Sequence, residues 1–218
     1  MPILPAFLAV AVLLTVQSFA ARGADQSLDA ALSAAVRSGD SSEVARLLTD
    51  GADADAGAGL PPLIVAAARG DVDIAGLLLD AGADPDVEAG QNSALIVALT
   101  RGRLDVAQRL VEAGADVNRP EAVEPGRSPL QLVIDIKPSL EAMDLLLNAG
   151  ADIDRADLRG ETALASAAFM DRPDAARLLI AHGADPRTTN QFGDSPHDLA
   201  LERGNDAVAR IIAEAGAH

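Results

Sequence analysis

Cysteine, tryptophan and tyrosine are absent from the 218 residues, and four phenylalanines are the only aromatic side chains. Without cysteine there can be no disulfide, no lipid attached at a thiol and no thiolate to hold zinc. Without large rings, the 49% of hydrophobic residues must form a core from small side chains, mostly Ala, Leu and Val. That predicts many short, closely spaced helices. Basic charge is scarce as well: 17 Lys+Arg against 33 Asp+Glu leave a net charge of -16, which opposes binding to nucleic acid or an anionic membrane. The acidic excess is spread along the chain, with no acidic tail or basic arm.

One long hydrophobic run is present. Residues 1–20, MPILPAFLAVAVLLTVQSFA, carry no charged side chain, and small residues Ser18 and Ala20 precede a possible cut after Ala20. This segment reads as a secretory signal peptide, although no Lys or Arg precedes its apolar core. The alternative is an uncleaved N-terminal anchor. Residues 21–26 then form a short linker.

Beyond it a phrase recurs: Gly51-Ala52-Asp53, Gly82-Ala83-Asp84, Gly114-Ala115-Asp116, Gly150-Ala151-Asp152 and Gly183-Ala184-Asp185, with Gly216-Ala217 as a sixth. The glycines are spaced 31, 32, 36, 33 and 33 residues apart, a period that signals stacked supersecondary units. Apolar residues stand seven, four and three positions before each glycine, as in Val44, Leu47 and Leu48 or Met143, Leu146 and Leu147. That is the buried stripe of a helix, and the glycine is expected to end it. A second short helical segment lies upstream, as in Leu63 to Gly70 and Leu95 to Gly102. Polar, Gly- and Pro-containing stretches of about ten residues separate the units. Each unit therefore reads as hairpin, helix, helix.

The sequence resembles the ankyrin-repeat family, whose period is about 33 and whose signature is T-P-L-H-x-A. The nearest matches are Gly160-Glu161-Thr162-Ala163-Leu164-Ala165 and Gly193-Asp194-Ser195-Pro196-His197-Asp198-Leu199-Ala200, with looser ones at Arg127-Ser128-Pro129-Leu130 and Leu60-Pro61-Pro62-Leu63. The resemblance implies an all-α repeat solenoid of helix-turn-helix units joined by β-hairpin-like loops. It covers 27–218: an N-terminal capping repeat at 27–50, repeats at 51–81, 82–113, 114–149 and 150–182, and a C-terminal repeat at 183–218. Ser27, Asp29, Ser33 and Arg37 at one end, and Glu202, Asn205, Asp206, Arg210 and Glu214 at the other, are expected to face water. The solenoid should be least regular in the 114–149 unit. Arg119 to Pro125 lengthen its hairpin, and Ile136-Lys137-Pro138 replace the Arg-Gly turn of three other repeats.

Chemistry-bearing motifs are poor. Ser195, His197 and Asp198 crowd a nucleophile, a base and an acid into the signature region, but members of a triad meet in space rather than in sequence. Local helix-start packing is the better reading. Asp84 to Gly90 resembles a calcium loop with its glycine one place late and no Glu at the twelfth position, so a solvated hairpin is expected. His182, His197 and His218 have no ligand spacing, and Gly51, Gly57 and Gly59 precede no Gly-Lys-Ser/Thr phosphate loop. No catalytic residue, metal site or cofactor is assigned, and an enzyme is not expected.

For binding, the resemblance implies that hairpin tips and the last exposed turn of each first helix line one concave face. Those positions are Ala68 and Arg69, Thr100 and Arg101, Asp135 and Ile136, Phe169 and Met170, Glu202 and Arg203. Phe192 at a hairpin tip is a second aromatic candidate, and Arg127 and Arg159 complete a series of arginines along the face. Phe169 could instead fill space left by Ser166, Ala167 and Ala168. The expected function is a periplasmic protein–protein interaction module, a monomer holding an exported partner as an accessory or protective factor for an exported enzyme. Alternatives are an immunity protein that neutralises a toxin and, with the anchor retained, a membrane-tethered scaffold. No nucleic acid is expected to bind, and no membrane beyond the signal peptide.

Overall fold

The structure, a computed structural model, describes residues 27–57, 59–90, 92–122 and 126–217. The expected signal peptide at 1–20, the linker at 21–26 and His218 lie outside the described residues, as do hairpin positions 123–125.

Short helices follow one another in pairs. Helical residues 27–38 (α1) precede α2 (Ser41–Thr49), α3 (Pro62–Arg69), α4 (Val72–Asp80), α5 (Ala94–Thr100) and α6 (Leu104–Glu112). Then come α7 (Pro129–Ile136), α8 (Leu140–Asn148), α9 (Ala163–Phe169), α10 (Pro173–Ala181), α11 (Pro196–Arg203) and α12 (Asp206–Gly216). Helices of this length have little stability in isolation, and packing must hold them. The first helices stack into an inner column, α3 on α5, α5 on α7, α7 on α9 and α9 on α11. The second helices form an outer column. Among the described residues the loops hold a single strand pair, Glu88–Ala89 with Asn92–Ser93, antiparallel with Glu88 opposite Ser93. The other expected hairpins are turns.

Sequence sets the start of four of the inner helices. Ser93, Ser128, Thr162 and Ser195 are N-caps whose hydroxyls accept from the backbone N–H of Ile96, Gln131, Ala165 and Asp198. The starts of α3, α5, α7 and α9 then bury Leu63, Leu95, Leu130 and Leu164, and Ala66, Ala67, Ala98, Ala167 and Ala168 let neighbouring helices approach. Leu47, Leu78, Leu110, Leu146 and Leu179 are the matching anchors of the outer helices, all fully buried in the same continuous core. Each stabilises the fold by about 1.5–3 kcal/mol.

The Gly-Ala-Asp phrase is a three-part device. Gly51, Gly82, Gly114, Gly150 and Gly183 adopt φ between 88° and 97°, where a side chain would clash with its own backbone. In each case the N–H of the next Ala donates to the carbonyl five residues back, as Ala115 does to Leu110 at 3.0 Å. That Ala is buried in four of the five, so the helix end is both hydrogen-bonded and covered. The Asp carboxylate then accepts from the N–H two residues on, as Asp116 does from Asn118 at 2.8 Å. The sixth copy differs, because Gly216 is the last residue of α12 itself and does not take a positive φ.

A second series of side-chain acceptors, four Asp and one Asn, joins the repeats. Asp29 accepts from the backbone N–H of Asp53, Asp55 from Asp84, Asp86 from Asp116, Asn118 from Asp152 and Asp154 from Asp185, at 2.7–3.0 Å for the shortest bond of each. The segment from Asp84 to Gly90, which resembles a calcium loop in sequence, is one step of this ladder.

The expected irregularity in the 114–149 unit is present. Lys137 takes φ −142° where the corresponding turns carry a left-handed residue, and Ser139 caps α8. α8 touches its outer-column neighbours less than the others do, leaving a cleft of about 270 Å³ between the starts of α8 and α10. Three residues expected at the water-facing ends are not exposed, and the first, Asp29, is half-buried where its carboxylate accepts from the Asp53 N–H. Ser33 is buried against the first loop, and Asn205 is half-buried because its amide donates to the carbonyl of Ala168 at 2.8 Å, closing the end of α9.

Asp171 is the one non-glycine residue at positive φ among those described, at 53°, where Gly70, Gly102 and Gly204 stand in other repeats. Asp tolerates this conformation better than most side chains but is strained there. Replacing Asp171 by Gly should raise stability by about 0.5–1 kcal/mol, seen as a higher urea midpoint with unchanged slope. A fall in the midpoint would contradict that account.

Candidate protein-binding face

The inner column presents the last turns of α3, α5, α7, α9 and α11 on one side, with the loops before each helix rising beside them. The arginines of this face do different things. Arg69 turns away from it, ion-paired to Asp71 and donating to the carbonyl of Arg37 at 3.0 Å. It therefore closes the end of α1, where the helix dipole favours a cation. Arg101 is exposed at the end of α5. Arg159 is exposed in the loop before α9, and its carbonyl accepts from the N–H of Gln191 at 2.8 Å, so adjacent loops are joined at their tips.

Arg127 is held most firmly. Its Nε donates to Glu121 at 2.9 Å and its second nitrogen to Asp135 at 2.8 Å, and both carboxylates are only 11% exposed. The guanidinium thus runs from the loop along α7 to its last turn. Glu161 stands close to this cluster. Burial first, then the carboxylate of Asp157, pushes its carboxyl above the usual range, with Arg159 pulling the other way. A raised value in the folded chain means that the fold favours the protonated form. That contribution is complete below the ordinary carboxylate pKa and is lost as pH rises through the elevated value. Glu161→Gln should therefore stabilise the chain relative to wild type by a margin that grows as pH rises from the ordinary carboxylate range through the elevated value. Thermal midpoints across that range check it, and a margin independent of pH would sink the idea.

Further along the face, Phe169 ends α9 and is 40% exposed, with the Arg203 guanidinium 3.7 Å above its ring centroid. The stacked cation shields one face of the ring and leaves the rest accessible. Met170 beside it, Ile136 at the end of α7 and Glu202 at the end of α11 are exposed too, as is Phe192 in the loop before α11 at 73%. Sequence reading passes over three residues of this face. Leu158 is 71% exposed one position before Arg159, and Glu121 and Glu161 carry the charge around Arg127. Register could have found Leu158, since it precedes Gly160 as Gln191 precedes Gly193. Glu121 falls in the irregular loop, where register gives no guide.

The crowded signature residues form a cap. Ser195 donates to Asp198 at 2.6 Å and its N–H donates to the same carboxylate at 3.0 Å, which lowers the Asp198 pKa. His197 is half-buried beside them. Among the described residues no three His, Asp or Glu side chains are grouped so as to hold a metal, and no helix is long and apolar enough to cross a membrane.

Paired helices, most of them followed by a glycine and stacked into two columns behind an open inner face, define a helical repeat protein. The chain belongs to the ankyrin-repeat family: the family described as "Ankyrin repeats (3 copies)" matches residues 32–121 and 124–218. Ankyrin repeats are protein–protein interaction modules, and proteins built of them are typically non-enzymatic. Similar proteins include the putative ankyrin repeat protein YahD of Escherichia coli, 44% identical over 19% of this chain and 20% of the relative. The mitochondrial disaggregase of Bos taurus is 30% identical over 81% of this chain and 22% of its own length. The chain thus spans about a fifth of each of these curated relatives.

Two solved structures share the fold over most of both chains. The ankyrin repeat protein EF0377 superposes with a TM-score of 0.78 at 27% identity, covering 84% of this chain and 96% of the other. A chain from the complex of the predatory endopeptidase Bd0816 of Bdellovibrio bacteriovorus with immunity protein Bd3460 does so with a TM-score of 0.74 at 29% identity, covering 84% and 97%.

Proposed function

We propose that the chain is exported to the periplasm and there holds an exported enzyme on its inner face, as an accessory or protective factor. The observation that carries this reading is the accessible Phe169 with Arg203 stacked on it, on the side where ankyrin repeats bind other proteins. Aromatic and arginine side chains are the residues that most often concentrate binding energy at interfaces. Export is supported by the uncharged first twenty residues with small residues before Ala21.

A photo-crosslinking residue placed at Phe192 or Met170 should trap one enzyme of the periplasmic fraction. The same residue at Arg177 on the outer column should not. Equal trapping from Arg177 would refute an inner-face site, and a chain recovered from the cytosol with residues 1–20 intact would refute export.

A second reading, an immunity protein that neutralises a toxin, is favoured by the likeness to a chain of the endopeptidase–immunity complex. The trapped enzyme separates the two. An immunity role requires that the chain inhibit it and that cells lacking the chain be harmed by it. An accessory role requires that activity or yield fall when the chain is removed.

A further inference from the structure

Among the described residues eight large hydrophobic side chains are exposed, and five of them, Ile136, Leu158, Phe169, Met170 and Phe192, lie on the inner face of the last three repeats. They form two ridges, Leu158 and Phe192 on the loops and the other three on the helix ends. The strip between the ridges is acidic. Arg127 already divides its donors between Glu121 and Asp135, and the Glu161 carboxylate makes no hydrogen bond or ion pair with any described residue. Asp157 is committed to the N–H groups of Arg159 and Glu161, the exposed Arg159 is the other cation acting on Glu161, and Arg203 lies over the Phe169 ring.

We propose that this face takes a partner segment in which one lysine or arginine stands between apolar side chains. The proposal rests on the inner-face reading above and specifies the partner's chemistry. A basic group entering the strip meets a carboxylate that the fold has already partly dehydrated, so the attraction is gained at a smaller desolvation cost than at an open surface. An acidic segment would meet Glu121, Asp135 and Glu161 together. The apolar neighbours of the basic group cover the two ridges and exclude water from the pair, as the rim of a hot spot does. The raised protonation point of Glu161 agrees with this shortage of positive charge.

A phage library of random twelve-residue peptides panned on the 27–218 chain tests it, because the selected sequences report the chemistry without knowledge of the natural partner. Enriched peptides should share a Lys or Arg flanked by apolar residues. Synthetic copies should bind at least about ten-fold more weakly to Glu161→Gln and to Phe169→Ala, a loss of about 1.4 kcal/mol or more. Both positions are accessible in the fold, and circular dichroism verifies that each variant keeps its helices. Peptides that depend on Phe169 but are acidic or uncharged would overturn this proposal while leaving the inner-face reading intact. Peptides bound equally by wild type, Phe169→Ala and Phe192→Ala would overturn the inner-face reading, and failure to enrich any sequence would overturn the basic, apolar-flanked partner chemistry.

Discussion

Gly160→Ala should destabilise the chain by about 2–4 kcal/mol, far more than the same change at Gly193 one repeat later. Both glycines have positive φ, 77° and 88°, so each alanine bears the cost of the left-handed region, about 1–2 kcal/mol. What separates them is space. A methyl group at 160 would lie 3.0 Å from the backbone N of Gln191 and 3.1 Å from Cα of Asn190, whereas at 193 nothing lies within 4 Å. Backbone on both sides cannot rotate out of the way, so the loops must separate and the bond from Gln191 N–H to the Arg159 carbonyl is lost. Urea unfolding of the two variants side by side measures the difference, and equal losses would show that the loops are not in tight contact.

Gln131→Ala should cost about 2–3 kcal/mol. This side chain is fully buried at the start of α7, and its two ends serve different partners. Its carbonyl accepts from the buried Ser128 N–H at 2.8 Å, completing a reciprocal cap with the Ser128 hydroxyl, and its amide donates to the Glu161 carbonyl of the next repeat at 2.7 Å. Truncation leaves the Ser128 N–H without a partner away from water. The Glu161 carbonyl keeps its bond from Asp157 N–H, so the larger part of the loss should fall on α7 itself. Hydrogen exchange at Ser128 and along α7 should quicken more than at Ala165 in α9. Uniform quickening along the chain would contradict this placement.

The fold was legible because its signals repeat. Glycines that must take positive φ, leucines at fixed distances before them and Ser or Thr at the helix starts each recur, so a deviation in one copy is outvoted by the rest. The acceptor at the fourth position after each Gly recurs as well, at Asp55, Asp86, Asn118 and Asp154, yet its purpose is visible only in three dimensions, since its bond joins residues about thirty apart. Ser33 and Asn205 show the opposite difficulty. Both are polar and both occupy terminal repeats, but a residue on a terminal unit can still point inward, and only the packing settles which way it faces.

The candidate face was legible in outline. Register places Asp135, Ile136, Phe169, Met170, Glu202 and Arg203 together on the helix ends, and they lie there. Register alone does not tell which arginine is committed elsewhere. Arg69 and Arg203 occupy equivalent positions, yet Arg69 pairs with Asp71 and closes α1, while Arg203 lies over Phe169. The difference is made by neighbours one repeat away: a carbonyl in one case, a ring in the other.

The ladder of side-chain acceptors along the loops has a direction. Every acceptor belongs to the earlier repeat and every N–H to the later one, from Asp29 and Asp53 through to Asp154 and Asp185. Removing a repeat from the C-terminal side therefore frees a carboxylate that water solvates readily, whereas removing one from the N-terminal side takes away the acceptor and leaves a main-chain donor behind. As the polypeptide emerges from the ribosome, each new unit meets an acceptor that is already in place. As far as these bonds go, the stack can be shortened or lengthened at its trailing end without leaving an unpaired main-chain donor in what precedes it.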